Sequence, residues 1–166
     1  QGKLEAELKW LHDENFVITA SKTRENINKT ASTVTVITEK EIRNMGARNL
    51  MEILSTIPGF GITTDPTGHN KLKVRGVGDG EKILIMVNGH PLNEPTLGTT
   101  FEFASYLIIE NIKKVEIVRG PGSALYGTNA FLAVVNVITK ETADVDGVEI
   151  SSGGGSYGTQ QHNLML

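Results

Sequence analysis

Between Val115 and Lys140, two apolar runs flank a single glycine-rich corner, and that pattern restricts this chain more than any other stretch. Val115-Glu116-Ile117-Val118 leads into Arg119-Gly120-Pro121-Gly122. A small-residue stretch follows, and Val134-Val135-Asn136-Val137-Ile138 runs on to Thr139-Lys140. β-Branched runs bounded by glycine and proline read as strands. The stretch holds no nucleophile–base pair, no metal spacing and no cofactor fingerprint. Gly120-Pro121-Gly122-Ser123 leaves a strand and precedes a candidate helical turn, a context in which backbone N–H groups can cradle phosphate. The P-loop lysine, its Ser/Thr neighbour and the dinucleotide spacing are missing. The plainer reading is a turn that needs glycine for backbone freedom. A soluble small-molecule or phosphate-binding module stays open as an alternative, as does a module that only docks or signals.

A length of 166 residues suits one domain with tails. The net charge of −3 and the lack of a basic stripe give no nucleic-acid footprint. Without cysteine the fold needs no disulfide. No apolar run approaches the roughly 20 residues of a membrane helix. Gln1 at the start is expected to follow a removed leader or a trimmed end, and the stretch 147–166 reads as a strand entering a larger sheet.

Leu4, Leu8 and Leu11 predict a short amphipathic helix over 3–12. Phe16-Val17-Ile18-Thr19-Ala20 is an extended candidate, and 21–32 reads as a polar linker. Val34 to Ile37 predicts a strand. Thr38 with Glu41 is a capping-box pattern opening a helix that Gly46 ends. Asn49 with Glu52 repeats the pattern ahead of a Leu50, Ile53, Leu54, Ile57 stripe, which Pro58-Gly59 stops. Residues 60–70 read as a loop and Leu72 to Val74 as a strand. The Ile83–Val87 run ends on Asn88-Gly89, a strong hairpin signal. Residues 92–106 are irregular, and Ile108 to Ile112 suggests one helical turn. The expected fold class is α+β, a small mixed β-sheet with short helices and long loops. The expected parts are a tether over 1–32, a central domain over 33–142 and a strand segment over 143–166.

Side chains with chemistry are sparse. His12, His69, His90 and His162 lack zinc spacing. His69 sits near Asp65 in a loop and reads chiefly as a solvated residue. No Gly-x-Ser-x-Gly elbow occurs, and the acids mostly sit beside Lys or Arg. No enzyme, metal site or cofactor is expected. Arg75 and Arg119 form the odd pair, since each leaves an apolar strand and precedes glycine. An arginine so placed can hold carboxylates bidentately. Surface exposure is the competing reading.

Several motifs occur in a fixed order: Ile57-Pro58-Gly59-Phe60, Val74-Arg75-Gly76, Ile85-Met86-Val87-Asn88-Gly89, then Arg119 to Gly127 and Val135 to Lys140. In these the chain, from about Phe16 to Leu166, resembles the plug domain of TonB-dependent outer-membrane receptors. It departs from the family at Leu132-Ala133, where Gly-Gly is frequent. The resemblance implies the gate of an active transporter, with the plug inside an outer-membrane barrel and its N-terminal segment in the periplasm. A barrel of about 22 strands, each of about 10 residues, cannot fit in 166 residues, so 143–166 is expected to begin the first barrel strand, unpaired and open to self-association.

The resemblance also assigns sites. Phe16, Val17, Ile18, Thr19 and Ala20 look like the TonB box that pairs with the C-terminal domain of TonB by strand addition. The alternative is a first plug strand that packs in place. Arg75 and Arg119 resemble the plug–barrel lock to barrel glutamates. The stretches 62–71 and 93–103 are the implied ligand loops, through Thr63, Asp65, Thr67, His69, Asn70, Asn93, Glu94 and Thr96, although ordinary exposed loops would carry the same residues. The implied ligand is a small chelate, chiefly a ferric siderophore, with cobalamin or another chelate as alternatives.

Overall fold

The computed structural model describes residues 16–19, 21–22, 25–26, 33–64, 66, 68, 70–78, 81–93, 104, 106–145 and 147–165. The helix expected over 3–12 lies outside them.

A five-stranded mixed sheet, ordered β3-β8-β9-β6-β7, forms the centre. Its strands are β3 (Thr33–Thr38), β6 (Ile83–Val87), β7 (His90–Pro91), β8 (Ile112–Arg119) and β9 (Ala133–Thr139). The closing pair read from the sequence is β8 against β9, antiparallel from Ile112↔Thr139 to Arg119↔Ala133. Only the β6–β9 pair of this sheet is parallel. The Asn88-Gly89 turn takes both residues to positive φ, 49° and 80°, as a two-residue hairpin turn requires.

Period-2 alternation sends side chains to opposite faces. Ile83, Ile85, Val115, Ile117, Val135 and Val137 point to one face, into the main core. Two helices cover that face: α1 (Glu39–Met45) through Ile42, and α2 (Leu50–Ser55) through Leu50, Met51, Ile53 and Leu54. The predicted capping box is present. The Thr38 hydroxyl accepts from the Glu41 amide, the Glu41 carboxylate accepts from the Thr38 amide at 2.8 Å, and Gly46 ends α1 at φ 62°. Asn49 caps α2 by accepting from the Glu52 amide at 2.9 Å. The reciprocal half of that box is replaced, because the Glu52 carboxylate instead accepts from the Arg48 amide and guanidinium.

Two expectations change. Residues 60–64 form a strand, β4 (Phe60–Thr64), paired antiparallel with β5 (Asn70–Val74). Phe60, Ile62, Leu72 and Val74 reach the core from this hairpin. Likewise, the unpaired strand expected at the C-terminal end is a hairpin: β10 (Glu149–Gly154) pairs with β11 (Gln160–Met165). Four charges tie β10 to the domain. Glu149 meets Arg43 at 2.5 Å and Lys140 at 3.2 Å, and both cations also meet Glu39.

The opposite face of the sheet carries Leu84, Met86, Val118 and Val134, with Val34 and Val36 beside them. Its cover comes from the N-terminal segment, where β1 (Phe16–Val17) pairs with β2 (Glu25–Asn26) and Val17 is fully buried. The polar linker expected over 21–32 thus contains a short strand.

Candidate functional site

Two polar residues sit in the middle of that second face. Glu116 on β8 and Asn136 on β9 are direct cross-strand partners, and both are buried. A buried carboxylate is costly unless it is paired and hydrogen-bonded. Here the N-terminal segment supplies the donors. Glu116 Oε2 accepts from the Ile18 amide at 3.0 Å, the Thr19 amide at 3.0 Å and the Thr19 hydroxyl at 2.6 Å. Lys114 Nζ lies 2.9 Å from Oε1. Asn136 Nδ2 donates to Thr19 Oγ1 at 3.1 Å, and the Tyr126 hydroxyl donates to the Thr19 carbonyl at 3.0 Å.

The electrostatics follow from this geometry. Burial alone would push the Glu116 carboxyl up. The hydrogen bond from the Thr19 hydroxyl, the Lys114 ammonium and the Thr19 amide outweigh it and hold the carboxyl below the usual carboxylate value. Burial, and then the Glu116 charge, push the Tyr126 phenol up. Lys22 stands 4.9 Å from the centre of the Tyr126 ring, so the same tyrosine meets the segment a second time.

Of the residues assigned to the TonB-box-like segment, Val17 and Thr19 are buried and Ile18 is exposed. Strand geometry stops at Val17, and Ile18 and Thr19 bend so that two successive amides reach one carboxylate oxygen. Ala20 lies outside the described residues. The segment therefore rests on the sheet. The sequence reading missed Glu116, Asn136 and Tyr126. The available signal was polarity at the centre of two otherwise apolar runs, Val115–Val118 and Val134–Ile138.

Arg75 and Arg119 are brought together. Both line one cleft of about 270 Å³, with Thr33, Pro58, Gly59 and Phe131 among its walls. Arg75 is exposed and adopts φ 53°, a left-handed conformation that disfavours non-glycine residues. Its amide donates to the Gly59 carbonyl at 2.6 Å, which holds the turn. Arg119 Nη2 donates to Thr35 Oγ1 at 3.1 Å, while its Nε is buried without a hydrogen-bond partner. Among the described residues neither guanidinium meets a carboxylate. Two cations facing one cleft suit bidentate acidic partners.

Of the expected ligand-loop residues, Thr63, Asn70 and Asn93 are among the described residues. Thr63 and Asn70 are exposed on the β4–β5 hairpin. Asn93 turns back onto β6, accepting from the Ile85 amide and donating to the Ile83 carbonyl, both at 3.0 Å. Asp65, Thr67, His69, Glu94 and Thr96 lie outside the described residues. The phosphate cradle is not available at the glycine corner. The Gly120 and Gly122 amides donate to the Leu132 and Ala130 carbonyls, and the helix that follows, α3 (Ser123–Tyr126), is one turn long. Gly122 has a packing reason to be glycine, since a Cβ there would lie 2.6 Å from Val134 Cγ2.

Comparison with known proteins identifies the family and the fold. Residues 26–134 match the family model for the TonB-dependent Receptor Plug Domain. Over 154 residues the chain is 31% identical to the vitamin B12 transporter BtuB of Vibrio vulnificus, an alignment covering 92% of this chain and 25% of that protein. The solved alcaligin outer membrane receptor FauA from Bordetella pertussis has the same fold, with a TM-score of 0.76 at 21% identity, covering 90% of this chain and 25% of that one. The ferric-catecholate import receptor Fiu of E. coli K12 aligns with a TM-score of 0.64 at 28% identity, covering 84% of this chain and 19% of that one. The chain thus spans about a quarter of the length of the curated relative.

Proposed function

We propose that this chain, which belongs to the family of TonB-dependent receptor plug domains, is the gate of an outer-membrane active transporter and offers residues 16–20 to TonB in the periplasm. The observation that carries the reading is the family match over 26–134, and residues 16–20 lie just ahead of it. A short segment that, among its described residues, is held by the Val17 side chain and a few hydrogen bonds can leave the sheet without unfolding the core. Once free, it is extended enough to add to another protein's sheet edge through main-chain hydrogen bonds.

In this reading the Arg75–Arg119 cleft faces a barrel wall. Carboxylates from that wall would complete the partnership, giving Arg119 Nε the acceptor it lacks. Pairing of this kind holds firmly while both partners are in place, and losing one partner of a buried pair costs roughly 3–5 kcal/mol. The segment 143–166 then starts the barrel with two strands. Their alternation supports this, since Val148, Ile150 and Leu164 are exposed while Glu149 faces the plug's ions.

The transported ligand is a metal chelate. A ferric siderophore is the reading drawn from the sequence, and the 28% identity to a ferric-catecholate import receptor supports it. The 31% identity to a vitamin B12 transporter favours cobalamin as a second reading.

The test uses a peptide covering Glu14 to Ser21 and the C-terminal domain of a cognate TonB, titrated by calorimetry. Saturable binding is expected, with loss of binding for Ile18→Pro, which removes a main-chain donor. Undiminished binding of the proline variant would refute strand addition, and no binding by either peptide would refute the TonB assignment.

A further inference from the structure

Asn136 has two separate duties. Its Nδ2 donates to Thr19 Oγ1 at 3.1 Å, and its Oδ1 accepts from the Gly89 amide at 3.0 Å. The first contact belongs to the N-terminal segment. The second belongs to the Asn88-Gly89 turn, which is also fixed through Asn88. The Asn88 amide donates to the Val137 carbonyl at 2.9 Å, and the Asn88 side chain exchanges hydrogen bonds with Thr139. Beyond the turn come β7 and then Asn93, whose side chain is seated on β6. One buried amide therefore stands between the N-terminal segment and the base of the stretch that begins at residue 93.

We propose that Glu116 and Asn136 act as positioning residues, a two-part clasp through which docking of Ile18–Thr19 and the setting of the Asn88-Gly89 turn are coupled. The proposal rests on the reading of 16–20 as the TonB-capture segment only for its biological use; the coupling stands on the geometry.

The hydrogen-bond inventory makes the coupling necessary. A threonine hydroxyl has one proton and can also accept. Thr19 commits its proton to Glu116 and accepts from Asn136. If the segment leaves, Glu116 Oε2 loses three donors together and Asn136 loses the acceptor for its Nδ2. The amide is then held from the Gly89 side alone and is free to rotate toward incoming water. Conversely, a turn that withdraws the Gly89 N–H releases the other end of the same amide. Whatever free energy links the two sites acts equally in both directions, and the docked or undocked segment is the two-state element that such a claim requires.

The experiment is residue-resolved hydrogen exchange on the 166-residue chain, comparing the unaltered protein with Thr19→Val and Thr19→Ser. Valine keeps the shape and removes the hydroxyl; serine restores it. In Thr19→Val the Ile18 and Thr19 amides should exchange about tenfold faster or more, on the scale of a lost charge-assisted hydrogen bond. The Gly89 amide should lose protection with them, and Thr19→Ser should restore both. Tyr126→Phe removes a hydrogen bond to the segment outside the clasp and serves as the milder second variant; it should also speed both exchanges. Faster exchange at Ile18 and Thr19 with Gly89 unchanged in Thr19→Val overturns the coupling.

A second arm separates this proposal from the capture reading. Glu116→Gln in the chain should tighten binding of the TonB C-terminal domain about tenfold, because the segment is freed, while the Glu14–Ser21 peptide binds as before. If the peptide binds and the Glu116→Gln chain binds no tighter, the clasp is refuted and the capture reading stands. If the peptide fails to bind while the exchange effects appear, the capture reading falls and the clasp stands.

Discussion

The two faces of the central sheet are made from the same strands and behave as opposites. Toward the helices, β6, β8 and β9 present Ile83, Ile85, Val115, Ile117, Val135 and Val137, and α1, α2 and the β4–β5 hairpin bury them. Toward the N-terminal segment the same strands present a thin apolar frame around Glu116 and Asn136, with Val17 buried against it among the described residues. Hydrocarbon packing is non-directional and grows with buried area. A hydrogen-bonded clasp is directional, and water can replace it group by group. On the proposed reading, the first face persists while the second is held in place and let go.

Truncating each face should separate them. Ile53→Ala removes a fully buried side chain from α2 and should cost about 2–5 kcal/mol of global stability, read as a lower midpoint in denaturant. Val17→Ala removes about two methyl groups' worth of burial, roughly 1.5 kcal/mol at about 0.8 per group. That loss should appear as faster exchange at Ile18 and Thr19, with the global midpoint nearly unmoved. A matching fall in global midpoint for both variants would erase the distinction.

Acid should also act on one face first. The Glu116 carboxyl is held below its ordinary value in the docked state. A group depressed in this way contributes stability above its unfolded value, and that contribution is lost as pH falls through the depressed one. The charged partner facing it is the Lys114 ammonium, and the Tyr126 phenol, pushed up, stays neutral in acid. Lowering the pH should therefore undock 16–19 while the helix-side core remains folded. Tyr126 reports it, since its ring loses Lys22 and its hydroxyl loses the Thr19 carbonyl. An acid transition in which tyrosine fluorescence and helical circular dichroism move together would count against it.

What the sequence disclosed tracks the range of the forces involved. The Thr38–Glu41 box and the Asn88-Gly89 turn involve neighbours and were legible. β4 was not, because it is a short run containing Gly61, a poor strand former, and its partner begins only at Asn70. The reversal between β10 and β11 was not either, since 147–166 reads as one strand and the turn closed by the Gly155 amide on the Thr159 carbonyl carries no strong hairpin signal. The arginine cleft was half legible. Each arginine announced itself beside a glycine, but their meeting depends on the Gly59–Arg75 contact closing the β5 end. The clasp was the least legible feature, because Thr19 and Glu116 are 97 positions apart and a glutamate within a strand ordinarily reads as a solvated charge.

Whether the second face lets go independently is decided by native-state hydrogen exchange across a series of low denaturant concentrations, which separates local opening from global unfolding. The Ile18 and Thr19 amides should open at low free energy with almost no dependence on denaturant, while the amides of Val115, Ile117, Val135 and Val137 open only with the whole domain. If Ile18 and Thr19 merge with those core amides into a single denaturant-dependent curve, the segment is an integral strand of the fold and not a releasable one.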